Sequence, residues 1–317
     1  MHVTKRGHVL NAVELYSHPS KRAAFHTIHA ALALTPNAPV KYAPESDHTH
    51  NAGEHFDQGR SGSCGGHAVA KWARTCLAIS CVPLTFSGDI SPRLTYAESR
   101  CPSQPGTGPL KDTGVEPADP ITALATEGVA PKQCATTPDG RNSDIWTAAD
   151  LNAANLSSPP ANDGDRPTPA ELALAAKDLL VGAYAINPGA PNFVALVAAS
   201  LSANLPVVAT IFVDTVFEDW GVVDNPDGTT SLPAIDKAPL DGVPNFQDPQ
   251  GGGHYITILA HKTLPDGRLA FLIWNSWGNT WGVASGNNPD VGNIWVTQDW
   301  LLASCSEAYA GKITRKA

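Results

Sequence analysis

The stretch Gln58-Gly-Arg-Ser-Gly-Ser-Cys64 leads into the most regular apolar pattern of this chain. Ser63 stands at an N-cap position and Cys64 in the first turn of a predicted helix. The apolar positions that predict this helix recur at intervals of 3, 4 and 3 residues, at Val69, Trp72, Cys76 and Ile79. Unpaired backbone N–H groups and the helix dipole favour a thiolate in a first turn, so Cys64 is a candidate nucleophile.

Two segments far downstream carry the groups that such a nucleophile needs. Gly251-Gly-Gly-His254 brings an imidazole, and Asn275-Ser-Trp-Gly-Asn-Thr-Trp-Gly282 opens on an amide suited to orient it. Gln58 adds a second amide that can donate to a developing negative charge. A thiol, a base, an orienting group and an oxyanion donor form the set that attacks an acyl group through sulfur.

The composition predicts a soluble, acidic protein of 317 residues, long enough for one large domain or for two that share a cleft. Its formal charge of −9 argues against nucleic acid as a partner. No uncharged apolar run has membrane-spanning length, and no hydrophobic region follows the basic residues near the N-terminus. We therefore expect no membrane partner, and either a cytoplasmic location or export without a recognisable signal peptide. A signal that has been removed is the alternative.

The six cysteines do not follow a zinc-binding pattern of two close pairs. If Cys64 is a free thiolate, five cysteines remain, so at least one more is unpaired. Free buried thiols are the preferred interpretation. A Cys101–Cys134 bridge is the alternative in an oxidising compartment.

Residues 1–57 differ from the rest of the chain and hold eight of its eleven histidines. We interpret them as an N-terminal extension or a prosegment. His48, His50 and His55 invite a metal interpretation, but their spacing matches no standard ligand pattern. A solvated polar segment is therefore preferred, and no metal or cofactor is predicted.

The remaining chain divides into a mainly helical part, residues 58–180, and a β-rich part, residues 181–317. Besides the helix after Cys64, helices are predicted from residue 90 and over 120–127, 169–180 and 193–204. Strands are predicted over 206–213, 255–260, 269–274 and 293–297. A Pro265-Asp-Gly267 turn joins two of these strands into a hairpin. Helices followed by mainly antiparallel strands indicate an α+β fold.

These segments together resemble papain-like cysteine peptidases, particularly the bacterial kind with a QGxxGSC nucleophile segment. Each stretch alone is a weak signal, whereas their shared order from about Phe56 to Tyr309 is specific. The stretches, besides the three already quoted, are Ser91-Pro92, Asp112-Thr-Gly114, Glu127-Gly-Val-Ala-Pro131 and Leu205-Pro-Val-Val208. The resemblance implies an α+β fold of two lobes, one helical and one an antiparallel β-rich lobe, with the active-site cleft between them.

The resemblance also implies a role for each matching residue. Cys64 corresponds to the nucleophile, and His254 to the general base that later acts as the acid. Asn275 corresponds to the residue that orients the imidazole, and Gln58 to the side-chain donor of the oxyanion hole. Trp277 corresponds to the indole that shields the His–Asn contact from water on the leaving-group side. The implied reaction is hydrolysis of peptide bonds through an acyl-enzyme.

Substrate contacts are predicted at Gly114, Gly253 and Trp277; at the two glycines an extended protein or peptide would pass close to the backbone. A plain turn glycine is the alternative at Gly114. A further hypothesis is that residues 1–57 shield the cleft. The chain departs from the family pattern at Ser61, where a cysteine is common, so the disulfide made by that cysteine is absent. It departs again at Gly65 after the nucleophile, and in the long proline-rich segment 224–250, which could overhang the cleft.

Three alternatives stay open at this point. The same residues serve a deamidase or a transglutaminase-like acyl-transfer effector, and the fold can also carry a non-catalytic binding protein. His67 lies one helical turn after Cys64 and could pair with it in a metal site or in a different ion pair. The three tryptophans that follow the Asn275-Ser-Trp277 triplet are expected to be core or wall residues: Trp281, Trp295 and Trp300.

Overall fold

A computed structural model describes residues 26–27, 32, 39–53, 55–59, 61–80, 89–108, 110–116, 118–129, 166–167, 169–176, 179–233, 237–278, 281–285 and 288–315. The α-helices in these ranges are α1 (Cys64–Ile79), α2 (Pro92–Arg100), α3 (Asp119–Glu127), α4 (Pro169–Ala175), α5 (Phe193–Ser202), α6 (Thr215–Trp220) and α7 (Gln298–Ser304). The strands are β1 (His26–Thr27), β2 (Glu45–Asp47), β3 (Leu179–Ile186), β4 (Val207–Val213), β5 (Val223–Asp224), β6 (Thr230–Ser231), β7 (Gly252–Thr263), β8 (Leu269–Trp274), β9 (Val283–Ser285), β10 (Asn288–Thr297) and β11 (Cys305–Arg315).

One mixed sheet organises the described residues, in the order β1-β3-β11-β4-β7-β8-β10-β9, with β2 added on β7. Its pairings are antiparallel except for the short parallel contact of β1 with β3. Side chains of β7 alternate between the two faces, as a pleated strand requires. Ile256 and Ile258 enter the core shared with α5 and α7, whereas Tyr255 and Leu259 enter the core beneath α1.

Most predicted elements are present, with shifted ends. The first helix begins at Cys64, and β7 and β8 form the predicted hairpin. Ser63 is the N-cap residue, but the prediction that its side chain caps the helix is wrong, because its hydroxyl lies 3.2 Å from the Nδ1 atom of His67 instead. The predicted helix 169–180 is also wrong at its end.

The helix α4 stops at Ala175, and the chain then enters β3 at Leu179. Backbone pairing with β11 makes this segment a strand, from Arg315 opposite Leu179 to Ala308 opposite Ile186. A partner more than a hundred residues away overrides the local helical preference. The predicted division of the chain between residues 180 and 181 therefore falls inside β3.

Residues 39–53 of the N-terminal region are built into the body of the protein. β2 pairs with the second half of β7, with Ser46 opposite His261. His48 is buried and bonds through Nε2 to the carbonyl of Leu201 at 2.9 Å. The carbonyl of Ala52 accepts a 2.7 Å bond from the buried ammonium of Lys71. The interpretation as a solvated polar segment is thus wrong at His48, whereas His50 and most of residues 39–53 are exposed.

The other histidine and cysteine predictions have mixed outcomes. His55 accepts a 3.0 Å bond from the indole of Trp274, and burial lowers the pKa of His55 to about 4. Within the described ranges, no three His, Cys, Asp or Glu side chains form a metal-binding group. The helices in these ranges are all too short or too polar to cross a bilayer. The free thiols there are Cys64, Cys76, Cys101 and Cys305. Cys134, the other half of the alternative bridge, lies outside the described residues.

The contact between α1 and β11 gives a sharp test of the packing. Trp72 is fully buried and donates through Nε1 to the carbonyl of Pro206 at 2.8 Å. Its ring lies on the bare backbone of Gly311, where an added Cβ would stand 1.7 Å from the Cζ2 atom. We predict that Gly311→Ala destabilises the protein by about 1–3 kcal/mol, the usual cost of overpacking a core.

Thermal or urea unfolding measures the effect. Gly108→Ala is the matched control, because an added Cβ there has no atom within 4 Å. Equal stability of the two variants would contradict the described packing of Trp72 on β11.

Candidate active site

Cys64 lies where the N-terminus of α1 meets the start of β7. The hydroxyl of Thr257 in β7 donates to the carbonyl of Ala68 in α1 at 2.9 Å, which fixes the two elements against each other. The backbone N–H of Tyr255 donates to the thiol of Cys64. Tyr255 directly follows His254, so the fold brings the predicted nucleophile beside the segment that carries the predicted base.

The electrostatics of Cys64 differ from the expectation for a first-turn cysteine. Burial raises the pKa of its thiol to about 11, and the negative charge of Asp112 acts in the same direction. The N–H groups of Tyr255, Gly65 and Cys64 itself act against this without outweighing it. The helix terminus alone therefore does not produce a thiolate here, and an opposing positive charge is needed.

His254 is buried near the start of β7 and is oriented by Asn275. Its Nε2 atom lies 2.7 Å from Oδ1 of Asn275. The backbone N–H of Ser276 donates to the same Oδ1 atom at 2.7 Å, so this atom acts as an acceptor for both groups. His254 must then carry its proton on Nε2, which makes Nδ1 the basic nitrogen of the neutral ring.

Trp277 covers this pair. The ring centroids of His254 and Trp277 are 4.8 Å apart and tilted by 40°, and both side chains are almost fully buried. Phe217 packs against this indole, and two of the other tryptophans, Trp281 and Trp300, pack against Phe217. The expectation that Trp281 and Trp300 are core residues is confirmed.

Gln58 lies beside the loop that carries Asn275. Its backbone N–H donates to the carbonyl of Ser276 at 2.9 Å, and its side-chain Nε2 donates to the carbonyl of Ser61 at 2.8 Å. Its Oε1 atom accepts a short hydrogen bond from the hydroxyl of Ser276. Gln58 is fully buried, so these bonds fix the orientation of its amide.

The two predicted substrate-contact glycines border the site. Gly253 directly precedes His254 in β7. Gly114 has a φ of +69°, and its N–H donates to the hydroxyl of Tyr96 at 3.1 Å. A Cβ on Gly62, two residues before the nucleophile, would stand 3.2 Å from the nitrogen of Gly114. The structure therefore brings Gly114 next to the nucleophile segment.

The site also uses residues that the sequence interpretation passed over. Ser276 holds the amide of Gln58, and the backbone of Tyr255 contacts the thiol. Asp112 accepts hydrogen bonds from Gly62 and Tyr96. Ser276 and Asp112 do lie in two of the motifs, Asn275-Ser-Trp277 and Asp112-Thr-Gly114. The motifs give no indication of what these two side chains contact.

His67 does not form the alternative pair with Cys64. Its Nδ1 atom lies 3.0 Å from the carbonyl of Ser63, and its ring packs edge-on against Phe56. It is buried inside the helical lobe, and no metal-binding group of side chains occurs in the part of the chain that the structure describes.

The described part of the proline-rich segment is attached to the start of α6. Asp214 accepts a 2.7 Å bond from the backbone of Asn245, and Asp248 accepts a 2.6 Å bond from the backbone of Thr215. These carboxylates cap the helix and hold residues 245–248 against it.

Comparisons with known proteins agree on the fold. No protein-family model and no curated protein sequence matches the chain. Among solved structures, it is similar to xylellain, a cysteine protease from Xylella fastidiosa, with a TM-score of 0.63, 17% identity and 98% of each chain covered. It is also similar to procathepsin B S9 from Trypanosoma congolense (TM-score 0.55, 14% identity, 99% of this chain and 88% of that one).

A third similar structure is the digestive procathepsin L 3 of Tenebrio molitor larval midgut (TM-score 0.53, 16% identity, 96% of this chain and 76% of that one). At such identities the likeness shows the fold alone. It confirms the predicted α+β, papain-like architecture.

The raised pKa of Cys64 leads to a prediction about its reactivity. In a His254→Ala variant no imidazolium can offset the burial that raises the pKa of the thiol, so the thiolate forms only at high pH. We expect iodoacetamide to alkylate Cys64 in this variant very slowly at pH 7 and faster as the pH is raised, whereas the parent protein reacts near neutral pH. Mass mapping of the alkylated peptide separates Cys64 from the other thiols. Equal rates for both proteins at pH 7 would contradict a role for the imidazole.

Proposed function

We propose that this protein is a cysteine-type peptidase that hydrolyses peptide bonds through Cys64. The observation that carries the proposal is the arrangement around His254. Asn275 fixes its tautomer, Trp277 covers it, and the backbone N–H of the next residue touches the thiol of Cys64. A base oriented in this way in the segment beside a buried sulfur is the arrangement that nucleophilic catalysis needs.

The first step is proton transfer from Cys64 to Nδ1 of His254, which yields a thiolate and an imidazolium. Burial, with the charge of Asp112, raises the pKa of the thiol to about 11, so the reactive pair depends on the positive charge of the imidazolium. Low local dielectric strengthens that attraction, and Trp277 contributes by excluding water from the ring.

The thiolate then attacks the peptide carbonyl, and negative charge develops on the carbonyl oxygen. The proposed donors to this oxygen are the backbone N–H of Cys64 and the side-chain amide of Gln58. The Nε2 atom of Gln58 carries two protons; Ser61 accepts one, and the proposal assigns the other to the oxyanion. The hydroxyl of Ser276 restrains the amide in this orientation.

Collapse of the intermediate breaks the C–N bond, and His254 gives its proton to the departing amine. Water, deprotonated by the same imidazole, then releases the acyl group and restores the thiol. We propose a protein or peptide substrate in extended form, with its backbone near Gly114 and Gly253. No step calls for a metal or an organic cofactor.

Shielding of the cleft by the N-terminal region is a separate part of the proposal. Residues 45–47 pair with the end of β7 that lies farthest from His254, with Asp47 opposite Ala260. At about 3.3 Å per residue, Ala260 is about 20 Å along the strand from His254. Any shielding of the cleft would therefore involve other parts of residues 1–57.

Hydrolysis of a peptide library, followed by mass spectrometry, tests the proposal. We expect the parent protein to release cleaved peptides, and Cys64→Ala to lose at least about 10⁴-fold in rate, as when a catalytic nucleophile is removed. Cys101→Ala is the matched control, since Cys101 is a free thiol of the helical lobe. We expect it to retain activity.

Persistent cleavage by the Cys64→Ala variant would refute the assignment. Intact peptides with a modified glutamine side chain would contradict peptide hydrolysis and support the deamidase or transglutaminase-like alternative. An unmodified library, together with a Cys64 that reacts with no electrophile, would favour the non-catalytic binding protein.

A further inference from the structure

The carboxylate of Asp112 joins two loops that the proposed reaction would use. The backbone N–H of Gly62 lies 3.1 Å from its Oδ1 atom and 3.0 Å from its Oδ2 atom. The hydroxyl of Tyr96 donates to Oδ1 at 2.5 Å. Gly62 stands two residues before Cys64, so Asp112 directly holds the turn that leads into the nucleophile.

Tyr96 extends this connection to Gly114. Its hydroxyl oxygen accepts the N–H of Gly114 at 3.1 Å while its proton goes to Asp112. The phenol is fully buried, and the guanidinium of Arg100 stacks 3.7 Å above its ring. A continuous set of bonds therefore runs from Gly62 through Asp112 and Tyr96 to Gly114.

The loop that carries Asp112 is itself fixed at both ends. At one end Gln104 accepts a 2.6 Å bond from the backbone of Lys111, and Arg100 donates to the carbonyl of Lys111 at 3.0 Å. At the other end the hydroxyl of Tyr255 donates to the carbonyl of Glu116 at 2.9 Å. Asp112 thus links the turn before Cys64 to a loop whose position is fixed.

Steric fit supports a built contact. A Cβ placed on Gly62 would stand 2.8 Å from Oδ1 of Asp112 and 3.3 Å from the hydroxyl of Tyr96. Any larger residue at position 62 would push the carboxylate away. The close approach of Gly62, Asp112 and Tyr96 therefore depends on glycine at this position.

We propose that Asp112 is a positioning residue: it fixes the turn before Cys64, and through Tyr96 it fixes the loop of Gly114 along which a peptide would lie. This inference rests on the proposed peptidase function. Asp112 does not touch the reacting atoms in this account. It sets the direction of the Cys64 backbone N–H, the proposed oxyanion donor, relative to the peptide.

The charge of Asp112 allows an experiment to distinguish positioning of the turn from activation of the Cys64 thiol. Its negative charge raises the pKa of the Cys64 thiol, second to burial among the effects that do so, and hence disfavours the thiolate. An asparagine would remove that penalty, but it has one acceptor oxygen and a donor NH₂ group. With the asparagine oxygen in the place of Oδ1, its NH₂ group stands in the place of Oδ2 and faces the Gly62 N–H, which lies 3.0 Å from that atom. The remaining bonds then go to a neutral oxygen, which holds them less strongly than a carboxylate does.

The test compares Asp112→Asn with the parent protein. We expect kcat/KM for a peptide to fall by about 10²-fold, the typical cost of misplacing groups at a reacting centre. Alkylation of Cys64 by iodoacetamide needs neither the oxyanion donor nor the Gly114 loop. Its pH profile should shift to lower pH in the same variant, since a negative charge has been removed.

Two further variants sharpen the test. Asp266→Asn is the matched control: its carboxylate also accepts a backbone N–H, from Arg268 at 3.0 Å, but lies in the turn at the far end of β7. We expect it to behave like the parent in both assays. Tyr96→Phe keeps the Gly62 bond and loses the Gly114 bond, so it should raise KM more than it lowers kcat.

An unchanged kcat/KM in Asp112→Asn would overturn the proposal. Parallel losses of hydrolysis and alkylation, together with a lowered melting temperature, would also overturn it, because they indicate a structural role only. If the parent protein hydrolyses no peptide, the proposed function fails on its own. Hydrogen exchange at the peptide containing Gly62 then decides about Asp112. Faster exchange in Asp112→Asn than in Asp266→Asn supports the positioning of the turn, and equal exchange refutes it.

Discussion

The packing of α1 against β7 is the constraint on which the rest of the structure depends. The hydroxyl of Thr257 bonds to the carbonyl of Ala68, in the core where Tyr255 meets the first turn of the helix. This contact places the N-terminus of a helix beside the N-terminus of a strand, so Cys64 and the segment of His254 meet. The antiparallel contact between Asp57 and Trp277 brings Gln58 to the same place.

This packing has an electrostatic consequence. A thiol buried between α1 and β7 is harder to ionise than one in water, and its helix-terminal position does not compensate. In the proposed mechanism reactivity comes from the imidazole of His254, whose tautomer is fixed by Asn275 and whose ring is covered by Trp277. The same burial that suppresses an isolated thiolate strengthens a thiolate–imidazolium pair, because charges attract more strongly where water is excluded. In this account Cys64 is inert without His254.

Local sequence signals were sufficient to predict some of the helices and strands. The apolar spacing after Cys64 predicted α1, and the Pro-Asp-Gly turn predicted the hairpin of β7 and β8. The strand β3 could not be predicted in this way, since its pairing partner β11 ends the described chain. The contacts of Asp112 and Ser276 were also invisible, because their partners lie 50 and 218 residues away in sequence. Short motifs indicate the proposed reacting groups, whereas the groups that orient them depend on tertiary packing.

Cross-linking with dibromoacetone shows whether the sulfur of Cys64 and the imidazole of His254 lie together. This reagent carries two reactive carbons on a three-carbon chain, so it joins a thiol and a ring nitrogen only when the two lie close together. After proteolytic digestion, the account predicts a single linked product that contains Cys64 and His254, absent from a His254→Ala variant. A link from Cys64 to His67, or a Cys64 that is alkylated without any link, would contradict the account.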